Sequence, residues 1–308
     1  MNNNSRPTVA VLISTHNRCN MLMRSLDSVF KQDYPKELLS LWILDDASTD
    51  ETATRIPAYI NKIKDVGWRN LNYIRSSHNL HIVAARHRLE ELTIPENKYI
   101  AVMDDDVVIP QNAISLLAGF MERHHDVGIV GPRFVLYNNP DTGCHYPNFV
   151  NSWTCQYTYK DVTKTMECDW VINAFCLFRS KALKESGGLD PRFYTCHEEV
   201  DLSLRTKKLG YKVMFRHDVI AKHDIDFSIP KLDRQYYLYR NKFLVIKKNF
   251  TGIHKWVALL FLISVSFPKA MWNSMKLQEN GFSNLRMIIR AFMDGILNRW
   301  GSSSLKRL

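Results

Sequence analysis

The apolar run Tyr99-Ile100-Ala101-Val102-Met103 stops abruptly at Asp104-Asp105-Asp106. Five β-compatible residues bounded by charge read as a buried strand, and its carboxyl end is where open α/β sheets bind ligands. Carboxylates crowded on one strand tip repel each other unless a cation sits among them. A hard divalent ion with oxygen ligands, Mg²⁺ or Mn²⁺, relieves that repulsion and can hold a diphosphate at the same time. An acidic turn after a strand fits the triplet equally well, so the neighbouring strand tips decide between the two.

Those neighbours are legible. Val9–Ser14, Leu41–Leu44, Leu71–Arg75, Tyr99–Met103 and Gly128–Val130 read as short strands, with helical stretches near Met21–Lys31, Glu51–Ile63, Val83–Leu92 and Asn112–Arg123 between them. Such alternation predicts an α/β fold with a mainly parallel central sheet and flanking helices. Between Tyr137 and Met166 the pattern dissolves into Asn, Pro, Thr, Tyr and Trp, with a turn signal at Asn138-Asn139-Pro140-Asp141, so an irregular excursion is expected there. Val171–Phe178 resumes as a strand, Glu198–Leu209 as a helix closed by Gly210, and Lys212–Phe215 as another short strand.

Two more polar tips fall on the same edge as the aspartates: Ser14-Thr15-His16-Asn17-Arg18 and Asp45-Asp46-Ala47-Ser48-Thr49-Asp50. Asp45 and Asp46 can accept from a base N–H or ribose hydroxyls, whereas Ser48, Thr49 and Asp50 suit the cap of the following helix. Neither a G-x-G-x-x-G turn nor a P-loop follows any strand, which sets aside a Rossmann dehydrogenase and a P-loop kinase. The phosphates fall to metal and side chains.

In this order, the blocks Val11-Leu12-Ile13-Ser14-Thr15-His16-Asn17-Arg18, Leu44-Asp45-Asp46-Ala47-Ser48-Thr49-Asp50, Ala84-Ala85-Arg86, Met103-Asp104-Asp105-Asp106-Val107, Asn173-Ala174-Phe175, Gly187-Gly188-Leu189-Asp190 and His197-Glu198-Glu199-Val200-Asp201 resemble the family 2 glycosyltransferases of GT-A fold. The resemblance covers roughly residues 8 to 225. It implies an inverting transferase that moves a sugar from a nucleotide-diphosphate sugar to a hydroxyl of a lipid-linked or polymeric glycan. Thr15, Asp46 and Arg86 match positions that hold the nucleotide, joined by Asn17, Arg18, Asp45 and Asp105 on the same tips; Asp104 and Asp106 match the metal-binding D-x-D pair, and His223 a histidine near metal or diphosphate. Glu198-Glu199 stands where the family usually shows Glu-Asp, whose second member is the base. Glu199 is therefore the expected base, with Glu198 and Asp201 as the alternatives left open by the longer side chain. Trp170, Asn173 and Ala174 are expected on the acceptor side. The stretch Tyr236-Tyr237-Leu238-Tyr239-Arg240-Asn241 resembles bacterial rhamnosyltransferase-like members and points to surface polysaccharide assembly.

The residue types suit that chemistry on their own terms. Expelling a nucleoside diphosphate builds charge that a divalent cation stabilises as a Lewis acid, while a carboxylate on the opposite face can deprotonate the attacking hydroxyl. A sugar-nucleotide-forming nucleotidyltransferase would want a glycine-rich loop after strand one, and Ser14–Arg18 contains no glycine. A catalytically silent binding protein would not need acids at both the metal and the base positions.

The formal charge of +10 is confined to the end of the chain: residues 1–230 hold 27 Lys+Arg against 28 Asp+Glu, and residues 231–308 hold 14 against 3. A catalytic domain is expected over 1–230 and a basic helical appendage over 231–308. The uncharged run Trp256–Pro268 is shorter than the roughly 20 residues that span a bilayer. Leu285, Ile288, Ile289, Phe292, Met293, Ile296, Leu297 and Trp300 recur at helical spacing opposite Arg286, Arg290 and Arg299. Such a helix suits an anionic membrane surface, or packing on the catalytic domain or on a second subunit as a dimer contact. Its aromatic and apolar content argues against nucleic acid. The six cysteines form no C-x-x-C pair and the polar Met1–Arg6 precedes only a short strand, so reduced thiols, no secretory signal and a peripheral place at the cytoplasmic face of the membrane are expected.

Overall fold

The computed structural model describes residues 6–65, 67–68, 70–225, 231–275 and 281–301. Its first half alternates strand and helix: β1 (Val9–Thr15), α1 (Cys19–Phe30), β2 (Leu39–Asp45), α2 (Thr52–Asp65), β3 (Leu71–Arg75), α3 (Ile82–Thr93) and β4 (Tyr99–Asp104). The four strands pair in parallel in the order β3-β2-β1-β4. Alternate residues of β1 feed two cores, as the two-residue period of a strand requires. Val9, Val11 and Ile13 pack with Leu22 and Leu26 of α1 on one face, while Ala10 and Leu12 pack with Val83 and Leu89 of α3 on the other. Both faces of β1 are covered, which is why Val9–Ile13 reads as unbroken apolar sequence.

The second half departs from a mainly parallel sheet. After β5 (Val107–Val108) and α4 (Ala113–Arg123), β6 (Val127–Leu136) turns back on β7 (Asn139–His145); β8 (Asn148–Val150) pairs with β9 (Tyr157–Tyr159), and β10 (Met166–Cys168) follows. The expected irregular excursion is thus a hairpin arm plus a small separate ladder. Three-residue strands and the largely exposed, Gly- and Pro-containing β7 carry no apolar alternation that could announce them. The chain then enters β11 (Phe175–Arg179) beside the carboxyl tip of β4, so β11 runs antiparallel to both β4 and β6. The whole sheet is mixed, in the order β10-β12-β6-β11-β4-β1-β2-β3. This reversal puts Asn173 and Ala174, just before β11, on the aspartate edge: the Asp104 amide donates to the Ala174 carbonyl at 2.8 Å.

After α5 (Ser180–Ser186) and α6 (Glu198–Lys208), β12 (Lys212–His223) runs far beyond the expected Lys212–Phe215. Its register against β6 shifts between Arg216 and Ile220, a bulge that breaks the apolar pattern there. The extension seats His223 opposite Val107, and the Asp224 amide donates to the Asp106 carbonyl at 2.9 Å.

Among the described residues beyond 230 the chain is mostly helical, and its buried side chains join the core of the first 225 residues. Tyr236, Tyr237, Phe243 and Ile246 of α7 (Lys231–Asn249) join the same apolar cluster as Ala10, Leu12 and Val200. The stripe expected to face a membrane is divided in the C-terminal helix Gly281–Ile296. Ile288 and Phe292 are buried in that cluster, while Met293, Ile296 and Leu297 stay exposed. Two of the opposing arginines turn to a buried acid: Arg290 and Arg299 each lie 3.6 Å from Asp294, which accepts from the Tyr236 hydroxyl at 2.8 Å. A Cβ at Gly295 would strike the buried Phe243 ring. Gly295→Ala should therefore cost about 1–3 kcal/mol by overpacking and lower the melting temperature in a thermal scan. An unchanged melt would contradict this packing.

Candidate active site

The three acidic side chains at the tip of β4 are held by different sets of partners, Asp105 and Asp106 sharing Arg18. Asp105 points inward: Thr15 Oγ1 donates to its Oδ2 at 2.6 Å and Arg18 Nη1 to its Oδ1 at 3.1 Å. Burial still outweighs Arg18 and raises its carboxyl above the ordinary range. Asp106 accepts from the same Arg18 Nη1 at 2.7 Å, and its Oδ1 lies 3.2 Å from His223 Nε2. Although burial opposes it, the hydrogen bonds and charges of His223 and Arg18 hold the Asp106 carboxyl below its usual value. Asp104 turns to Arg86 of α3, whose guanidinium is buried against its Oδ1.

A metal ion fits this tip. Asp104, Asp106 and His223 each offer one ligand atom, and these atoms lie within 4.8 Å of one another. Two carboxylate oxygens and one imidazole nitrogen make a donor set for Mg²⁺ or Mn²⁺. His223 is itself oriented from behind, its Nδ1 lying 3.1 Å from Nε2 of His145 on β7. Burial first, then the neighbouring His223 and Arg234, lower the His145 pKa to about 3, so its imidazole is neutral. In the tautomer whose Nδ1–H donates to a neutral His145, the His223 Nε2 lone pair would be available to a metal ion. Nothing in the sequence singled out His145, because β7 itself was not visible there.

A cleft of about 510 Å³ opens beside the acids, with Thr15, Asp46, Asp104 and Asp105 on its floor and His81 and Tyr194 on its wall. The Tyr194 hydroxyl and His81 Nδ1 are 2.7 Å apart. Asp46 faces this cleft while its carboxylate accepts from the Leu80 and His81 amides at 2.6 and 2.8 Å. Asp45 does not face it. Fully buried, it accepts from the Ser48 amide at 2.8 Å and the Tyr73 hydroxyl at 2.6 Å, so it shapes the loop after β2. Asn17 is also a loop organiser, its Oδ1 accepting from the Thr49 and Asp50 amides at 2.6 and 3.2 Å. Both side chains, expected on the nucleotide, are engaged here by local hydrogen bonds, which Asp and Asn readily form near turns.

At the start of α6 stands the second acidic group. Glu198 and Glu199 are enclosed, and the Oε2 of each lacks a hydrogen-bond partner. Burial raises the Glu198 carboxyl against the pull of Arg86; burial and then the charge of Glu198 push Glu199 well above the carboxylate range. The pair therefore retains a proton under conditions that ionise ordinary carboxylates. Arg86 touches Asp104 and acts on Glu198, so one guanidinium links the metal side to the glutamate side. Asp201 is removed from candidacy as base: its oxygens accept from Asn249 at 2.7 Å, Lys248 at 2.8 Å and Arg205 at 2.9 Å, and it is wholly buried. On the expected acceptor side, Asn173 is buried with its Nδ2 unpaired, and Trp170 meets Tyr157 edge-on at 5.8 Å.

The loop that delivers Glu198 and Glu199 is strained. Tyr194, Cys196 and His197 all have positive φ, at 65°, 64° and 69°, each costing on the order of 1–2 kcal/mol in a residue other than glycine. What holds it is α7. Asn241 Nδ2 donates to the carbonyls of Phe193, Thr195 and Cys196 at 2.9, 2.7 and 2.8 Å. Arg240 donates to the Arg192 and Phe193 carbonyls at 3.2 and 3.1 Å and shares Asn241 Oδ1. Both side chains are fully buried. Sequence reasoning noticed this Arg-Asn pair only as a resemblance, because its partners are backbone carbonyls about 45 residues away.

Asn241→Leu keeps the volume and removes the donor. Turnover should fall about 10–100-fold, the usual order for misplacing a catalytic group, while nucleotide affinity measured by calorimetry stays near wild type. Equal loss of both would mean general unfolding, and no loss of either would show the clamp to be idle.

With this geometry in view, comparison with known proteins is informative. A family model described as Glycosyl transferase family 2 matches residues 10–187, and a second, Glycosyl transferase family group 2, matches residues 99–292. The chain is 22% identical over 237 residues to the probable glucomannan 4-beta-mannosyltransferase 15 of Arabidopsis thaliana, covering 71% of this chain and 41% of the relative. It thus spans less than half of that relative's length. Among solved structures, Staphylococcus aureus TarS 1-349 in complex with UDP-GlcNAc superposes with a TM-score of 0.63 at 17% identity, over 94% of this chain and 81% of that one. GalNAc-T7 with UDP, GalNAc and Mn²⁺ superposes with a TM-score of 0.67 at 13% identity, over 96% and 58%. These two likenesses establish the fold as GT-A, and the family model covers over half of the sequence; the chain belongs to the family 2 glycosyltransferases.

Proposed function

We infer that this glycosyltransferase is metal-dependent and inverting, and that it carries a sugar from a nucleoside-diphosphate donor to a hydroxyl of a lipid-linked or polymeric glycan during surface polysaccharide assembly. The observation that carries this reading is the ligand set of Asp104, Asp106 and His223 on the cleft edge, with Arg86 buried against Asp104 and its charge favouring the ionised form of Glu198. Arg86 joins this cluster to a carboxyl pair, the two components that a single displacement at an anomeric carbon needs on opposite sides of the sugar.

Asp104, Asp106 and His223 would hold Mg²⁺ or Mn²⁺, which when bound neutralises charge building on the departing diphosphate. Thr15 and Asp46 flank the cleft on the nucleotide side, and Arg18 braces Asp105 and Asp106 so that the tip keeps its shape. Glu199 is the group proposed to take the acceptor proton. It can do so only after the pair releases the proton it shares, since both carboxyls are raised. The cytoplasm is the proposed setting, consistent with six cysteines that are all free thiols.

The sign of the pH dependence follows from the pair. A base must be ionised, so kcat should rise with pH through an acid limb displaced above the ordinary glutamate value of about 4.3. Glu198→Gln removes the like charge and should move that limb to lower pH while leaving measurable transfer. Glu199→Gln should lower kcat roughly 10²–10⁴-fold with donor affinity retained. The assay is a panel of nucleotide sugars with Mn²⁺, each product's anomeric configuration being read by NMR. Retained configuration, or full activity in Glu199→Gln, would overturn the inverting assignment.

A further inference from the structure

The helix Gly252–Met275 is long and apolar enough to cross a bilayer, yet only 22% of its most apolar stretch is buried inside the protein. A core helix of a soluble domain would be mostly buried. Its apolar residues are instead divided between two faces. Ala258, Leu262, Ala270 and Ser274 are buried against the body, whereas Ile253, Trp256, Leu260, Ile263, Trp272 and Met275 are exposed, Trp256 at 67% and Leu260 at 66%.

That division is not what a regular α-helix would produce. At about 100° per residue, Trp272 and Met275 would be rotated roughly 100° away from the line of Trp256 and Leu260. Residues Leu262–Ser266 form a π-helical turn in which the Phe267 amide donates to the Leu262 carbonyl, five residues back. Pro268 follows, and it has no amide to continue the ordinary ladder. The extra residue in that turn resets the phase, bringing these six exposed residues into one sector about 80° wide and the buried set into the sector opposite; Val265, inside the turn and 45% exposed, lies outside that sector. The turn therefore maintains one continuous apolar face along the entire helix.

What covers this face is indicated by charge. Lys255 and Lys269 fall to either side of it, roughly 100–120° from its centre at the same spacing, where their stems can lie along apolar surface and their ammonium groups reach outward. The segment 231–308 holds the entire positive excess of the chain. Tryptophan near both ends, at 256 and 272, suits the boundary between headgroups and acyl chains. A helix bound to the protein along one side cannot also be surrounded by lipid, which favours lying in the interface over crossing it.

We propose that the exposed face of helix Gly252–Met275 docks the enzyme on an anionic lipid surface, lying parallel to it. Trp153, 47% exposed on the loop between β8 and β9, lies against His254 near the start of this helix, with ring centroids 3.9 Å apart. Tyr157, the first residue of β9, lies against His197, next to the glutamate pair, with ring centroids 5.2 Å apart. The segment after β8 thus touches this helix at one end and leads into the strand that meets the glutamate loop, a placement suited to an acceptor presented at the lipid surface. The proposal adds to the transfer reading without depending on it, and its test involves no turnover.

The test is sedimentation of the full chain with vesicles of phosphatidylcholine alone or mixed with phosphatidylglycerol. Wild type should bind the mixed vesicles at least tenfold more tightly than the neutral ones, and lipids brominated near the headgroup should quench its tryptophan fluorescence. Trp256→Ser/Leu260→Gln/Trp272→Ser should lose more than tenfold in binding with its circular dichroism and its mass in solution unchanged. Lys255→Glu/Lys269→Glu should weaken binding to the mixed vesicles only. Three results would each overturn the proposal: wild type that binds neither vesicle, an apolar triple variant that sediments like wild type, or a wild-type dimer that the triple variant converts to monomer, which would assign the face to a second copy of the chain. Because wild-type quenching needs no substitution, its absence would count against docking even if a variant failed to fold.

Discussion

Three neighbouring carboxylates on one strand tip can be kept close only when countercharge is brought to them from elsewhere in the chain. In this molecule Arg18 from the loop after β1, Arg86 from α3 and His223 from the end of β12 all converge on Asp104–Asp106. Each arrives by a different route: a parallel neighbour strand, a crossover helix, and a long strand that must pass a bulge to reach the tip. The order of the sheet can be read as the solution to that convergence. Residual ligand capacity remains at Asp104, Asp106 and His223, and the donor set matches a hard divalent cation.

A second constraint lies in the glutamate loop. Non-glycine residues at positive φ are retained only where surrounding structure over-determines them. Arg240 and Asn241 supply that determination from α7, so the segment after residue 230 is part of what holds the glutamate loop. The apolar residues of this segment are divided accordingly: Ile288, Phe292 and Asp294 are buried, and helix Gly252–Met275 buries Ala258, Leu262 and Ala270 while leaving Trp256, Leu260 and Trp272 exposed.

Much of this was legible from residues alone, for identifiable reasons. β1 to β4 and α1 to α4 announce themselves because continuous apolar runs and helical periods are local signals. The acids of the candidate metal centre stood out because like charge at a strand tip is anomalous wherever it occurs, and Glu198-Glu199 because their order and spacing follow that tip. The failures share a cause in long-range geometry. Asp45 and Asp201 look like site acids in sequence, but Tyr73 and Ser48 consume the first, and Asn249, Lys248 and Arg205 the second. β7 and its His145, the antiparallel insertion of β11 and the division of the stripe in Gly281–Ile296 depend on partners tens of residues distant, which no window of sequence contains.

The most direct measurement is the binding of Mn²⁺ by electron paramagnetic resonance, with and without a nucleoside diphosphate, in wild type and in Asp106→Asn. If the tip of β4 is the metal centre of a diphosphate site, nucleoside diphosphate should tighten Mn²⁺ binding in the wild type, and Asp106→Asn should abolish that coupling while keeping the same melting temperature. Mn²⁺ binding that is indifferent to nucleotide, or that survives unchanged in Asp106→Asn, would contradict the assignment of this acidic tip as the centre of the enzyme.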